Sequence, residues 1–403
     1  MSINYKNTVF CCFFGYMCQA VICNFAPLLF LTFSSEFGIP MGQITLLVTA
    51  NFGFQLLTDL VAPKYVDRIG YRASLIIAHI ACGLGLIGLA MLPDIIGGFL
   101  GLFISTVIYA VGGGLLEVLV SPVLESIPMD NKSGAMSLLH SFYCWGSVAT
   151  VILCTLYFNF VGIEKWRFLS LLFCLMPFVN ALLFTRVPLM SPPPIKKGNL
   201  LLYKELLTNK TFILFLIMML CSGASEMAVQ QWSSAFAETA LKADKTTGDL
   251  FGMCGFSLMM ALSRTLYGKF SKKLPLVTSL FISSVLCVVC YLMITLSDNA
   301  TVGFIGCIIC GFSVGIFWPG SFSLAASNIP KQSTVMFALL SLAGDVGCTV
   351  GPTVSGFVSN LAGGDLRLGI LSAIVFPIIL PVCLGFVASF HKKKRGNKRN
   401  LLK

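Results

Sequence analysis

The chain has 403 residues, of which 57% are hydrophobic and 11% charged, against about 25% charged in an ordinary soluble domain, and this excludes a soluble enzyme. A bilayer span needs about 20 mostly apolar residues, so the composition supplies roughly twelve spans and little else. The formal charge of +11 does not indicate nucleic acid, because that partner needs its cations on one solvated surface, and here they are scattered through short connections and a tail.

Windows of about 19 residues predict apolar helices at 8–33, 43–63, 73–92, 97–124, 134–160, 167–187, 210–237, 247–268, 275–296, 302–327, 334–361 and 367–391. The first is too long for a signal-peptide core and shows no small-residue cleavage site, so it is expected to stay in the chain. No stretch alternates apolar and polar residues as a membrane barrel would, and backbone groups inside lipid are otherwise satisfied only within helices. Cations gather in the connections on one side, with Lys64, Arg68, Arg72, Lys132, Arg186, Lys204 and the tail KKKRGNKRNLLK, while Glu36, Asp94, Glu164, Glu238, Asp244, Asp298 and Asp365 fall on the other. Lys and Arg flanking spans stay cytoplasmic, so both termini are expected there.

The longest polar interruption, Arg186 to Lys210, contains SPPPIKKGN and divides the spans six and six. This predicts an N-terminal six-helix bundle over 1–187, a cytoplasmic linker at 188–209, a C-terminal six-helix bundle over 210–391 and a basic cytoplasmic tail at 392–403. A constant offset of 202 pairs Pro128 with Pro330, Gly53 with Gly255, Gly101 with Gly303 and Gly113 with Gly315. That pattern favours two parallel repeats with a substrate site between them. The expected fold class is an all-α membrane protein of twelve transmembrane helices in two six-helix pseudo-symmetric bundles.

Four carboxylates fall within spans, namely Asp59, Glu117, Glu226 and Asp345, and such acids are costly enough to be functional candidates. At 1.5 Å per residue Glu117 lies about 16 Å from Pro128, and Glu226 and Asp345 are similarly deep. Asp59 is placed near the cytoplasmic mouth, paired in a gate or loop with Lys64 or Arg68. Residues four apart stack on one helix face, so Glu117 aligns with Ser121, and Glu226 with Gln230. Trp232 follows; His140 and Tyr143 stand in the fifth span, Trp318 in the tenth, and Gln19 and Asn24 in the first. Aromatic faces with amide donors suit a compact polar solute such as a sugar. The 202 offset also pairs Asn24 with Glu226, which predicts that the two face each other across the cavity.

Other patterns are discounted. GLGLIG (Gly83, Gly85, Gly88) lies in an apolar helix with no strand before it, so helix packing explains it better than a dinucleotide. Cys287, Cys290, Cys307 and Cys310 have zinc-ribbon spacing but sit in apolar helices, and the 16 cysteines imply no disulfide framework. His79 is alone on an apolar helix and reads as a packing residue. No P-loop, HExxH or GxSxG sequence occurs, so the chain is expected to be neither a pump nor an enzyme and to use no cofactor or metal.

The connection after the second span reads DRIGYR (Asp67, Arg68, Gly70, Arg72) and resembles the signature loop of the major facilitator superfamily; GKFSKKLP (Gly268 to Pro275) is its degenerate counterpart in the second half. LLEVLVSPV in the fourth span (Glu117, Ser121, Pro122) is similar to the acid-bearing fourth helix of the fucose:proton symporter branch, where the acid takes part in proton coupling and sugar binding. The first-helix acid of that branch has no counterpart, since CNFAPLLF carries Asn24, Ala26 and Pro27. The resemblance implies a secondary transporter that moves a small sugar-like solute by alternating access with proton symport. It also implies that Asp67, Arg68, Gly70 and Arg72 form a gating loop. A drug or metabolite:proton antiporter is the alternative, although the fifth span SFYCWGSVATVIL lacks the Gly-Pro motif of that branch, and a non-transporting sensor on the same fold is another. The expected setting is the plasma (inner) membrane, as a multi-pass monomer whose partners are solute, proton and lipid.

Overall fold

The computed structural model describes residues 5–128, 132–190, 200–270, 274–329 and 334–400. Twelve long helical segments run through these residues: α1 (Lys6–Phe37), α2 (Met41–Ile69), α3 (Tyr71–Ile96), α4 (Gly98–Ser126), α5 (Lys132–Val161), α6 (Ile163–Arg186), α7 (Lys210–Gln230), α8 (Lys245–Tyr267), α9 (Leu276–Leu296), α10 (Ala300–Ala325), α11 (Thr334–Leu361) and α12 (Leu366–Val387). Eleven are apolar and long enough to cross a bilayer. The twelfth, α11, is 28 residues long and packs against α7 and α2. Among the described residues there is no strand.

The repeat extends to the element boundaries. Shifted by 202, α4 covers 300–328, where α10 and its helical continuation end at Asn328. Shifted likewise, α5 covers 334–363, and α11 ends at Leu361. Two differences from the sequence reading concern the ends. The linker at 188–209 contains a helix, Leu200–Thr208, whose sequence LLLYKELLT suits one. The backbone after α12 also stays helical to Asn400 through the basic tail.

Prolines follow the breaks in α1, α6, α10 and α12, and two of them free carbonyls used at the site. A proline supplies no N–H to the residue four before it. In α1 the helix gives way to a 3₁₀ turn at Ala26–Leu29, where Pro27 leaves the Cys23 carbonyl without its helical donor. In α10 the helix is interrupted after Val314, and Pro319 does the same for Gly315. Both carbonyls are taken by side chains at the site below.

Small residues set the closest helix contacts. A Cβ on Gly347 would overlap the Leu220 carbonyl, one on Gly351 the Ala224 carbonyl, and one on Gly223 the Gly344 carbonyl, so α7 and α11 touch backbone to backbone. Gly85 packs on Tyr109, and Gly88 on Ser105, which is the helix-packing role expected of GLGLIG. His79 is buried, its Nδ1 at 2.7 Å from the Leu75 carbonyl and its Nε2 at 2.8 Å from Asn180 Nδ2. Cys287 and Cys310 lie with their sulfurs 4.0 Å apart among buried apolar neighbours.

At the end carrying the termini, α2 and α3 are joined through Gly70, whose φ of +84° favours glycine. Arg72 then turns back into its own bundle. Its guanidinium donates to the carbonyls of Phe184 (2.7 Å), Thr185 (2.8 Å) and Val187 (2.9 Å), capping the C-terminus of α6. Of the expected gating loop, Arg72 is thus held on its own bundle, and the Asp67 side chain lies outside the described part. At the far end the acids meet cations: Arg167 holds Glu36 at 2.6 Å and Asp94 at 2.9 Å, and Arg367 lies 3.2 Å from Asp298.

Candidate functional site between the two halves

Three carboxylates meet where the two halves come together. Asp59 on α2, Glu117 on α4 and Asp345 on α11 each offer an oxygen within 4.8 Å of the others, and all three side chains are half-buried. This corrects the placement of Asp59 at the cytoplasmic mouth with a cationic partner; its neighbours are two other acids. Charged pairs at that spacing repel by about 3 kcal/mol at an effective dielectric constant of about 20, so the three do not stay together bare. Gln19 Nε2 donates to Glu117 Oε2 at 2.8 Å. The Tyr16 hydroxyl lies 2.9 Å from Ser121 Oγ, and the His140 ring stands edge-on to Tyr16 at 5.4 Å, itself exposed. Tyr143, one turn on, is half-buried. Thus α1, α4 and α5 present a polar wall, with Asp345 of α11 opposite.

The second charged group was only half legible. Glu226 on α7 does not face Asn24, as the 202 offset suggested; it pairs with Arg264 on α8, whose Nη2 lies 3.2 Å from Glu226 Oε2. Arg264 Nε donates to the Gly315 carbonyl at 3.2 Å, the group freed by Pro319, and Nη1 reaches Cys144 Sγ on α5 at 3.2 Å. One guanidinium therefore joins α7, α10 and the opposite bundle. Sequence reasoning weighed the intramembrane acids and passed over Arg264, although a cation inside an apolar span carries the same signal. Trp318, half-buried, packs its ring on Gly344, next to Asp345.

Hydrogen bonds between the halves cluster toward the far end. Gln230 Nε2 donates to Asn24 Oδ1 at 3.1 Å, while Asn24 Nδ2 donates to Ser147 Oγ at 2.9 Å. Gln231 Nε2 reaches the Cys23 carbonyl, freed by Pro27, at 3.4 Å. Lys245 Nζ donates to the Leu28 carbonyl at 2.5 Å and lies 3.2 Å from Asp249 and 3.4 Å from Glu238. Ser234 also donates to Asp249. Thr246 donates to Asn159 at 2.8 Å, and the Thr49 and Thr353 hydroxyls are 2.7 Å apart. Asn24, Gln230 and Trp232, expected to contact solute, are all buried in this seam; Trp232 Nε1 donates to the Pro352 carbonyl at 2.9 Å and its ring meets Phe30. They fasten the halves together. Outside the membrane-spanning segments, the Thr247 N–H and hydroxyl hold the Asp244 carboxyl below its usual range.

A recess of about 410 Å³ between α2, α3 and α4 is lined by Leu57, Val61, Tyr65, Ile69 and Ile77. Its apolar, exposed side chains suit lipid, not a polar solute. The oxygen triad is the group of described side chains that could hold a cation.

Two six-helix halves that meet across buried acids and a buried arginine have the fold of a membrane transport protein. The chain belongs to the Major Facilitator Superfamily, whose family model matches residues 8–352 and 250–401. Its fold is similar to that of a bacterial homologue of the human lysosomal transporter Spinster in an inward-facing, unoccupied conformation (14% identity over 95% of this chain and 97% of that one, TM-score 0.74). It is also similar to the E. coli fucose:proton symporter (17%, 95% and 98%, 0.67) and to a D-xylose–proton symporter (13%, 94% and 96%, 0.75). No curated protein matches it. At these identities the solved structures establish the fold.

Proposed function

We propose that this protein is a secondary active transporter that carries a small polar, sugar-like solute across the membrane in symport with a cation, rocking residues 1–187 against 210–391. The observation that carries this reading is the polar cluster where the halves meet: Gln19 on Glu117, Tyr16 on Ser121 with His140 edge-on to it, and Asp345 of the second half beside Asp59 and Glu117. Intramembrane acids facing a cavity mark ion and solute paths. The cation bias of the connections supports cytoplasmic termini, with the hydrogen-bonded seam of Asn24, Gln230 and Lys245 toward the outer side. The resemblance of the fourth helix to the fucose:proton symporter branch supports a sugar-like solute, and the proton is the first cation to test.

Purified protein in proteoliposomes tests the reading. Radiolabelled neutral sugars, polyols and sugar acids are offered with an inward proton gradient, with an inward metal-ion gradient, and with none. Accumulation above equilibrium under a gradient, and solute exchange without one, are expected. Absence of both with every solute, in protein that binds solute in a thermal-shift screen, would turn the reading toward a sensor.

A further inference from the structure

The carboxylates that meet between the halves come from different bundles: Asp59 and Glu117 from the first, Asp345 from the second. The three oxygens lie within 4.8 Å of one another, so a point between them is no more than about 2.8 Å from each, which reaches the roughly 2.3–2.6 Å at which Ca²⁺ holds oxygen. That spacing admits a hard cation of sodium or calcium size, whereas Mg²⁺ demands near-ideal octahedral geometry and dehydrates reluctantly. Both Asp59 oxygens are buried and receive no N–H or hydroxyl among the described residues; their neighbour is the Asp345 carboxyl. Independently, Gln19 is 4% exposed; its amide nitrogen is held on Glu117, and the oxygen of that same amide is buried and unpartnered. An idle amide oxygen thus stands at the edge of the triad. Three carboxylates and an amide oxygen, with neither thiol nor imidazole among them, are the donors a hard cation selects.

We propose that Asp59, Glu117 and Asp345, with the Gln19 amide oxygen, bind a hard metal cation of sodium or calcium size, and that the ion bridges the two bundles in this conformation. The proposal deepens the transporter reading by naming its cation. Because Asp345 arrives on the other bundle, rocking dismantles the site. The ion is then bound in one access state and released from the other, which is the differential affinity that coupling requires.

Full-length protein in detergent, stripped with chelator, is titrated with CaCl₂, NaCl or MgCl₂ against N-methylglucamine chloride at constant ionic strength, with the melting temperature as readout. A saturable rise with Ca²⁺ or Na⁺ but not with Mg²⁺ is expected; competition between the first two identifies the preferred ion. Asp59→Asn and Asp345→Asn should each weaken it by about tenfold or more. If those variants do not fold, hydrogen exchange on the wild type should slow across 55–62 and 342–348 on adding the ion. A melting temperature that ignores both ions and responds only to acid overturns the proposal in favour of bound protons. So does a metal response that survives intact in both variants, or exchange that stays unchanged. Solute flux is measured separately: metal binding without any flux defeats the transporter reading and leaves the site standing, and flux indifferent to metal does the reverse.

Discussion

Glu226→Gln removes the anion facing Arg264 and leaves the side chain's shape. In the wild type the guanidinium has one charged partner, Glu226 at 3.2 Å; its other acceptors are the Gly315 carbonyl and the Cys144 thiol, and sulfur is a weak acceptor. The Glu226 side chain is 4% exposed and that of Arg264 19%, so water cannot take over. Stripping one partner from a buried pair costs about 3–5 kcal/mol, because the remaining charge is left uncompensated. In a chain of this size that lowers the apparent melting temperature by about 5 °C or more. The assay is a double-mutant cycle by thermal shift in detergent: Glu226→Gln, Arg264→Gln, and both together. Each single variant should be destabilised, and the double variant should recover most of the loss, since neither charge is then stranded. A single Glu226→Gln variant as stable as wild type, or a double variant no better than the worse single, would refute the pairing argument.

Glu117→Gln should cut solute uptake in proteoliposomes by more than about tenfold, as Gln19 loses its charged acceptor, with the melting temperature nearly unchanged; wild-type uptake would remove Glu117 from the site. Lys245→Met breaks the link to the Leu28 carbonyl and strands Asp249, so hydrogen exchange near 28–30 and 245–249 should accelerate; identical exchange would show that the far end is held by something else. Arg72→Met forfeits three charge-assisted bonds to the end of α6, each worth about 1.5–3 kcal/mol at most. It should therefore lower thermal stability while leaving solute affinity intact, and an affinity loss without destabilisation would contradict the capping role.

The sequence by itself indicated an all-helical membrane fold of two six-helix repeats and the 202-residue offset, because each follows from local composition and from spacing along the chain. It also assigned GLGLIG to helix packing, and Gly85 and Gly88 do pack on Tyr109 and Ser105. Which side chains face one another was settled only in three dimensions. Asp59 was read as a mouth residue and stands with Glu117 and Asp345; Glu226 was matched to Asn24 and lies against Arg264; Trp232 and Gln230 were read as solute contacts and lie in the hydrogen-bonded seam. In a soluble helix the apolar stripe tells which side points inward. A helix surrounded by lipid is apolar on its outer face as well, so the periodicity that would orient it is weak. The rotation of each helix about its axis is set by small residues and polar contacts contributed from segments a hundred or more residues away, and those meet only when the bundles assemble.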